Sequence, residues 1–159
     1  MGSLFAQEKF PVPELTYKQK HSRVLSETFG FVTTGINFAK SQGVSPYDYG
    51  IYVGTIYASY WNSEIGFEGF VKNAIRAWES MTTDQDGKII VTEKADNSVL
   101  MEFPKNAITK FLGGENPVAT IEEVVDYFKG ILKPITAKFK SSATIDITDT
   151  HITFIFKKD

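Results

Sequence analysis

The stretch that decides the architecture is TIEEVVDYFKGILKPITAKFKSSATIDITDTHITFIF, residues 120–156. Its first half repeats with a helical period. Thr120 and Glu123 form a capping-box pair, and Ile121, Val124, Val125, Phe128, Ile131, Leu132, Ile135 and Phe139 fill a stripe about 120° wide. Pro134 falls outside that stripe, where it projects outward and kinks the helix. In the second half the period drops to two. Ala143-x-Ile145-x-Ile147 and Ile152-x-Phe154-x-Phe156 alternate around Asp149-Thr150, which predicts a hairpin with one buried face.

Upstream the same change of period occurs once more. Lys88 to Lys94 and Ser98 to Phe103 read as two strands joined through Ala95-Asp96-Asn97, with Pro104 ending the second. Asn106 to Leu112 reads as a short helix stopped by Gly113-Gly114, and Asp84-Gln85-Asp86-Gly87 is the turn before the hairpin. Everything earlier is helical. Thr16 and Gln19 cap a long first helix that ends at Gly43, a C′ glycine. Tyr17, Val24, Leu25, Phe29, Phe31, Val32, Ile36, Phe38 and Ala39 share an arc of about 180° on it. Phe67 to Met81 is a third helix with Phe70, Val71, Ala74 and Trp78 on one face.

The second helix opens on Ser45-Pro46, with Asp48 in its first turn. One face carries Tyr49, Tyr52, Val53, Ile56, Tyr57 and Tyr60, and another carries Gly50, Gly54 and Ala58 at four-residue spacing. Only Asp48, Thr55 and Ser59 form a polar strip. So little polar surface predicts that this is the most buried helix, with its small-residue ridge against another backbone. Grouped pairs of strands favour antiparallel pairing, so the expected class is α+β: N-terminal helices, a ββ hairpin, a long helix and a closing ββ hairpin, with the helices on one face of a four-stranded antiparallel sheet. Residues 1–159 read as one domain, 1–15 being an N-terminal arm.

Composition narrows the function classes. The 159 residues include 17 Lys+Arg and 19 Asp+Glu, giving a formal charge of −2 with no basic patch of the kind nucleic acid or anionic membrane calls for. There is no cysteine, which removes thiol catalysis, thiolate metal sites and disulfides. No apolar run is long enough for a membrane span, and Pro11 and Pro13 interrupt any signal-peptide core. The expectation is a soluble cytoplasmic protein.

The helices, the hairpin, the stretch from Thr120 to Ile135 and that from Ser142 to Phe156 together resemble a family of sensor-like domains. It comprises the vinyl-reductase-type ligand-binding domains, the haem–nitric-oxide-binding domains and the Golgi trafficking subunits. That resemblance implies this fold and, by analogy, small-molecule binding. It brings no functional residue, because the C-terminal cysteines and the Tyr-x-Ser-x-Arg haem motif of those domains are missing; the arginines are Arg23 and Arg76 alone.

The candidate residues follow from the aromatics, 22 of 159 positions, nine of which fall between Tyr47 and Trp78. Where the inward arc of the first helix meets the aromatic face of the second, Tyr17, His21, Thr28, Tyr52, Ile56 and Tyr60 would line a pocket for a small apolar or aromatic ligand. The alternative is that the tyrosines reach solvent and His21 hydrogen-bonds a neighbouring carbonyl. His151 reads as a solvated turn residue, Arg76 as a surface cation, and Glu64 and Glu68 as a turn residue and a helix-start charge rather than a catalytic pair. Three functions stand in order: a non-catalytic ligand-binding or sensor-like domain, a dimerising interaction module without ligand, and an enzyme of unknown reaction using His21 or Glu64. The sequence names no cofactor and leaves its identity unknown. A homodimer is expected, because the glycine ridge or the outer sheet face is left to cover.

Overall fold

The structure is a computed structural model that describes residues 14–82, 88–113 and 117–159. Most of the predicted arm, the Asp84–Gly87 turn and Gly114 lie outside the described residues. The helices are α1 (Tyr17–Ser41), α2 (Pro46–Tyr60), α3 (Gly66–Glu79), α4 (Asn106–Thr109) and α5 (Ile121–Lys138). The strands are β1 (Ile90–Glu93), β2 (Val99–Pro104), β3 (Ser141–Ile147) and β4 (His151–Lys158). The class is α+β, as the alternation of periods predicts.

Local chemistry sets the helix ends. Both capping boxes form: the Gln19 N–H donates to Thr16 Oγ1 at 3.3 Å, and the Glu123 N–H to Thr120 Oγ1 at 3.3 Å. Ser45 Oγ accepts from the Asp48 N–H at 3.0 Å, with Pro46 at the first helical position.

The sheet is antiparallel throughout, in the order β1-β2-β4-β3. Its register aligns Val91, Met101, Phe154 and Ile145 across one face, and Phe103, Ile152 and Ile147 beside them. Helices α3 and α5 cover that face. Trp78 of α3 meets Phe103, Phe154 and Phe128 at ring-centre distances of 5.0, 4.7 and 4.9 Å. Phe70 packs on Phe139 at 4.9 Å and Phe156 at 5.7 Å. Truncating buried aromatics of this size costs about 3–5 kcal/mol each, so this layer is the main source of stability. The opposite face carries Glu102, Thr153, Asp146 and Thr144, with Leu100 and Ile155 half-buried among them.

Helix α2 packs on α5 rather than on the sheet. A Cβ added to Gly50 would strike the Tyr127 carbonyl oxygen and stand 3.0 Å from Gly130 Cα. One added to Gly54 would stand 2.7 Å from Ile131 Cα. Further along, the Lys138 ammonium donates to the Ala58 carbonyl at 2.8 Å, satisfying an acceptor at the end of α2. The contacts advance together along both helices, which therefore run in the same direction. The glycine ridge does lie against a backbone, as its spacing predicts.

Two burial expectations are overturned. Helix α2 is not the most buried helix: only Gly50 and Gly54 are buried on it, whereas α5 buries eight residues. In α1, Leu25, Phe29, Thr33, Ile36 and Ala39 face inward, but Tyr17, Val24, Phe31 and Phe38 are exposed. The physical reason is common to both. Helices α3 and α5 already fill the inner face of the sheet, so α1 and α2 form an outer layer that buries only one narrow side. The 180° arc read on α1 is divided along its length, half inward and half outward.

Candidate functional site

Among the described residues, the six predicted pocket residues are dispersed over α1 and the exposed face of α2. His21 sits near the start of α1, half-buried, with Nε2 2.9 Å from the Ser80 carbonyl at the end of α3. Its ring stacks beside Tyr17 at 6.3 Å, and Tyr17 is 85% exposed. Thr28 turns its hydroxyl back to the Val24 carbonyl at 2.8 Å. Tyr52, Ile56 and Tyr60 lie on the exposed face of α2, and Tyr60 is 78% exposed. The hydrogen bond to a carbonyl and the solvent-exposed tyrosines match the alternative placement described above.

Two grooves exist elsewhere, and none of the six residues lines either. One, of about 620 Å³, runs between α5 and the edge strand β3 past Lys129, Lys133, Ser142 and Asp146. Lys133 there lies over the Tyr47 ring at 5.7 Å, and Lys129 pairs with Asp126 at 3.2 Å. The other, of about 820 Å³, separates α3 from the β1–β2 hairpin, with Phe67, Val71, Ile75, Val91 and Val99 on its walls and Glu68, Lys72 and Lys158 at its margin. It opens because β1 reaches past the part of the sheet that α3 covers, leaving Val91 on the inner face 45% exposed.

Helices α1 and α2 hold a different arrangement. Tyr17, Val24, Phe31 and Phe38 recur every seven residues, so they form one stripe along α1, and all four are exposed. Gly35 lies on the same side, between Phe31 and Phe38, and a Cβ there would meet the Tyr49 ring at 3.1 Å. Tyr49 thereby joins the stripe to α2, where Tyr52, Ile56, Tyr57 and Tyr60 continue the apolar surface. The sequence reading placed Phe31 and Phe38 in the core arc. Seven-residue spacing does not separate them, since Leu25, Val32 and Ala39 share it; they lie at one edge of that arc, about 180° round the wheel from Phe29.

Tyr127, buried under α2, has its phenol pushed well above the usual value, first by burial and then by Tyr49 and Tyr57 beside it, so it stays neutral. At the junction of α1 and α5, burial by itself would raise the Glu123 carboxyl. Hydrogen bonds from the Lys40 ammonium and the Thr120 N–H outweigh that and hold it below the ordinary carboxylate value. Asp96, in the β1–β2 turn, is lowered by bonds from the Ser98 hydroxyl and N–H. His151 is exposed beside the Thr150 hydroxyl, and Glu64 is held in a turn by Asn62, its N–H donating to Asn62 Oδ1 at 3.0 Å. Among the described residues no group of three or more His, Asp or Glu gathers as a metal site. No helix among them is long and apolar enough to cross a membrane. Compared with protein-family models, curated proteins and solved structures, the chain matches none.

Proposed function

We propose that the chain is a non-catalytic interaction module whose working surface is the apolar face shared by α1 and α2. The observation that carries this reading is the exposure of Tyr17, Val24, Phe31 and Phe38 in one stripe, continued by Tyr52, Ile56 and Tyr60 across the Tyr49 bridge. Contiguous exposed aromatic surface marks association sites far more often than scattered apolar residues do. Aromatic side chains suit the role, since they bring large contact area with few rotatable bonds. The test is a photo-crosslinking amino acid installed in turn at Phe31, at Tyr52 and, as a control, at Asp146 on the outer sheet face. Adducts from the first two positions and none from the third are expected; no adduct from Phe31 or Tyr52 contradicts the reading.

A second reading, small-molecule binding of the kind the sensor-like resemblance implies, draws support from the groove between α3 and the β1–β2 hairpin rather than from the six residues first expected. A small apolar molecule there would rest on Phe67, Val71 and Val91. Val71→Trp, which fills the groove, abolishes any thermal shift given by an aromatic or acyl ligand under this reading; a shift that survives contradicts it.

A further inference from the structure

The partner that this surface fits is a second copy of the same chain: we infer a two-fold dimer in which α1 of one protomer lies antiparallel on α1 of the other, flanked by the two α2 helices. The inference rests on the reading of α1 and α2 as an interaction surface, and two further observations select the occupant. The first is area. Aromatic side chains contribute about 150–250 Å² each when covered. The six exposed aromatics on α1 and α2 (Tyr17, Phe31, Phe38, Tyr52, Tyr57 and Tyr60) therefore offer on the order of 1,000 Å² per protomer, whereas a stable specific interface needs about 800 Å² from each partner. A single copy supplies the whole of a standard interface, and a two-fold axis makes that surface its own complement.

The second observation is charge. In the N-terminal third of α1, Lys18, Lys20 and Arg23 are exposed; Arg23 is paired with Glu27 at 3.1 Å, and Lys20 sits between Tyr17 and Val24 on the stripe side. Near the other end of α1 the charges are mixed, with Lys133 over the Tyr47 ring and the carboxylates Glu122 and Asp48 exposed. Lys40 pairs with Glu123 there, which brings Glu122 and the start of α5 alongside, and Asp48 stands one turn before Tyr52 on α2. The Gly35–Tyr49 contact fixes the start of α2 at the level of Gly35. An antiparallel α1 pair centred near Thr28 brings Lys20 of one protomer level with Gly35 of the other, and so beside the partner's Asp48. A parallel pair instead stacks Lys18 and Lys20 of one protomer on those of the other. The Lys20–Asp48 pairing steers the encounter and sets its orientation, while the aromatic stripe supplies the contact.

Sedimentation equilibrium across micromolar to sub-millimolar protein tests this. The expected mass is twice the 17.8 kDa chain, falling to one chain in Phe31→Glu and, independently, in Tyr52→Glu, both of which change exposed positions. Circular dichroism of each variant at low concentration, matching that of dilute wild type, shows that loss of the dimer is not loss of the fold. Lys20→Glu and Asp48→Lys each weaken the dimer several-fold, and the double variant restores it. A monomeric wild type overturns the inference, as does a dimer indifferent to Phe31→Glu, and a double variant that fails to recover overturns the antiparallel arrangement. Crosslinks from Phe31 to other proteins by a monomeric chain reject the second copy while leaving the interaction surface standing. The absence of any crosslink rejects both.

Discussion

Helices α2 and α5 touch along most of their length, yet their apolar side chains meet opposite fates. On α5, Val124, Val125, Ile131 and Ile135 are buried between the sheet and the outer helices. On α2, the residues that bury are Gly50 and Gly54, Tyr49 is half-buried, and Tyr52, Ile56, Tyr57 and Tyr60 stay outside. The difference is one of layer. Helix α5 has a sheet on one side and helices on the other, so every apolar position has a neighbour. Helix α2 has α5 on one side and meets α1 near Tyr49, whose ring lies against Gly35. It meets α5 through its smallest residues, which bring the backbones too close for side chains to intervene. Average hydropathy ranks α2 as the more apolar helix, and burial ranks it below α5.

The sharpest way to break this comparison is to force the two helices apart. Gly54→Leu or Gly130→Leu puts a side chain where Ile131 or Tyr47 and Gly50 present backbone atoms that cannot rotate away. Each is expected to cost about 3 kcal/mol or more, at the upper end of overpacking penalties, lowering the melting temperature by roughly 6–12 °C. An unchanged melt for both would remove the close crossing from the account.

A smaller effect separates α5 from α2 at their ends. Thr120→Ala removes the side-chain cap of α5 and should cost about 1 kcal/mol in chemical denaturation. The cap also links to pH. Because the folded Glu123 carboxyl is held below its ordinary value of 4.5, its contribution is complete above that value and is lost as pH falls through the folded one. Glu123→Gln should therefore flatten the acid limb of the stability–pH curve; an acid limb of undiminished steepness speaks against the Lys40–Glu123 link.

The smallest expected change comes from the outer face. Tyr60→Ser, in protein dilute enough to be monomeric, is expected to shift unfolding free energy by no more than about 0.5 kcal/mol, as exposed positions do. A loss of several kcal/mol would show that the tyrosine face packs within the protomer after all.

Much of this architecture is legible before any coordinates. The capping boxes at Thr16 and Thr120, the Ser45-Pro46 start, and the drop from helical to two-residue period at Lys88 and again at Ala143 are local signals that locate α1, α2, α5 and the two hairpins, whereas α3, which has no side-chain cap, is marked by its period alone. The Gly50–Gly54–Ala58 spacing likewise announces a close helix crossing, although not that Gly130 answers it from α5. Burial of the outer layer is not legible in the same way. A helical wheel shows that Phe31 and Phe38 are on an apolar side, but whether another element covers that side depends on how α3 and α5 fill the sheet. His21 illustrates the same limit: its partner, the Ser80 carbonyl, is 59 residues away, and no spacing rule connects them.

The account turns on which tyrosines face water, and hydroxyl-radical footprinting reads that directly. In the Phe31→Glu chain at low concentration, Tyr60, 78% exposed, and Tyr52 should oxidise rapidly, while Tyr127, 6% exposed beneath α2, should remain protected. Comparable oxidation of Tyr60 and Tyr127, or protection of Tyr52 and Tyr60 in the monomer, would contradict the claim that α2 turns its glycines inward and its aromatic face outward.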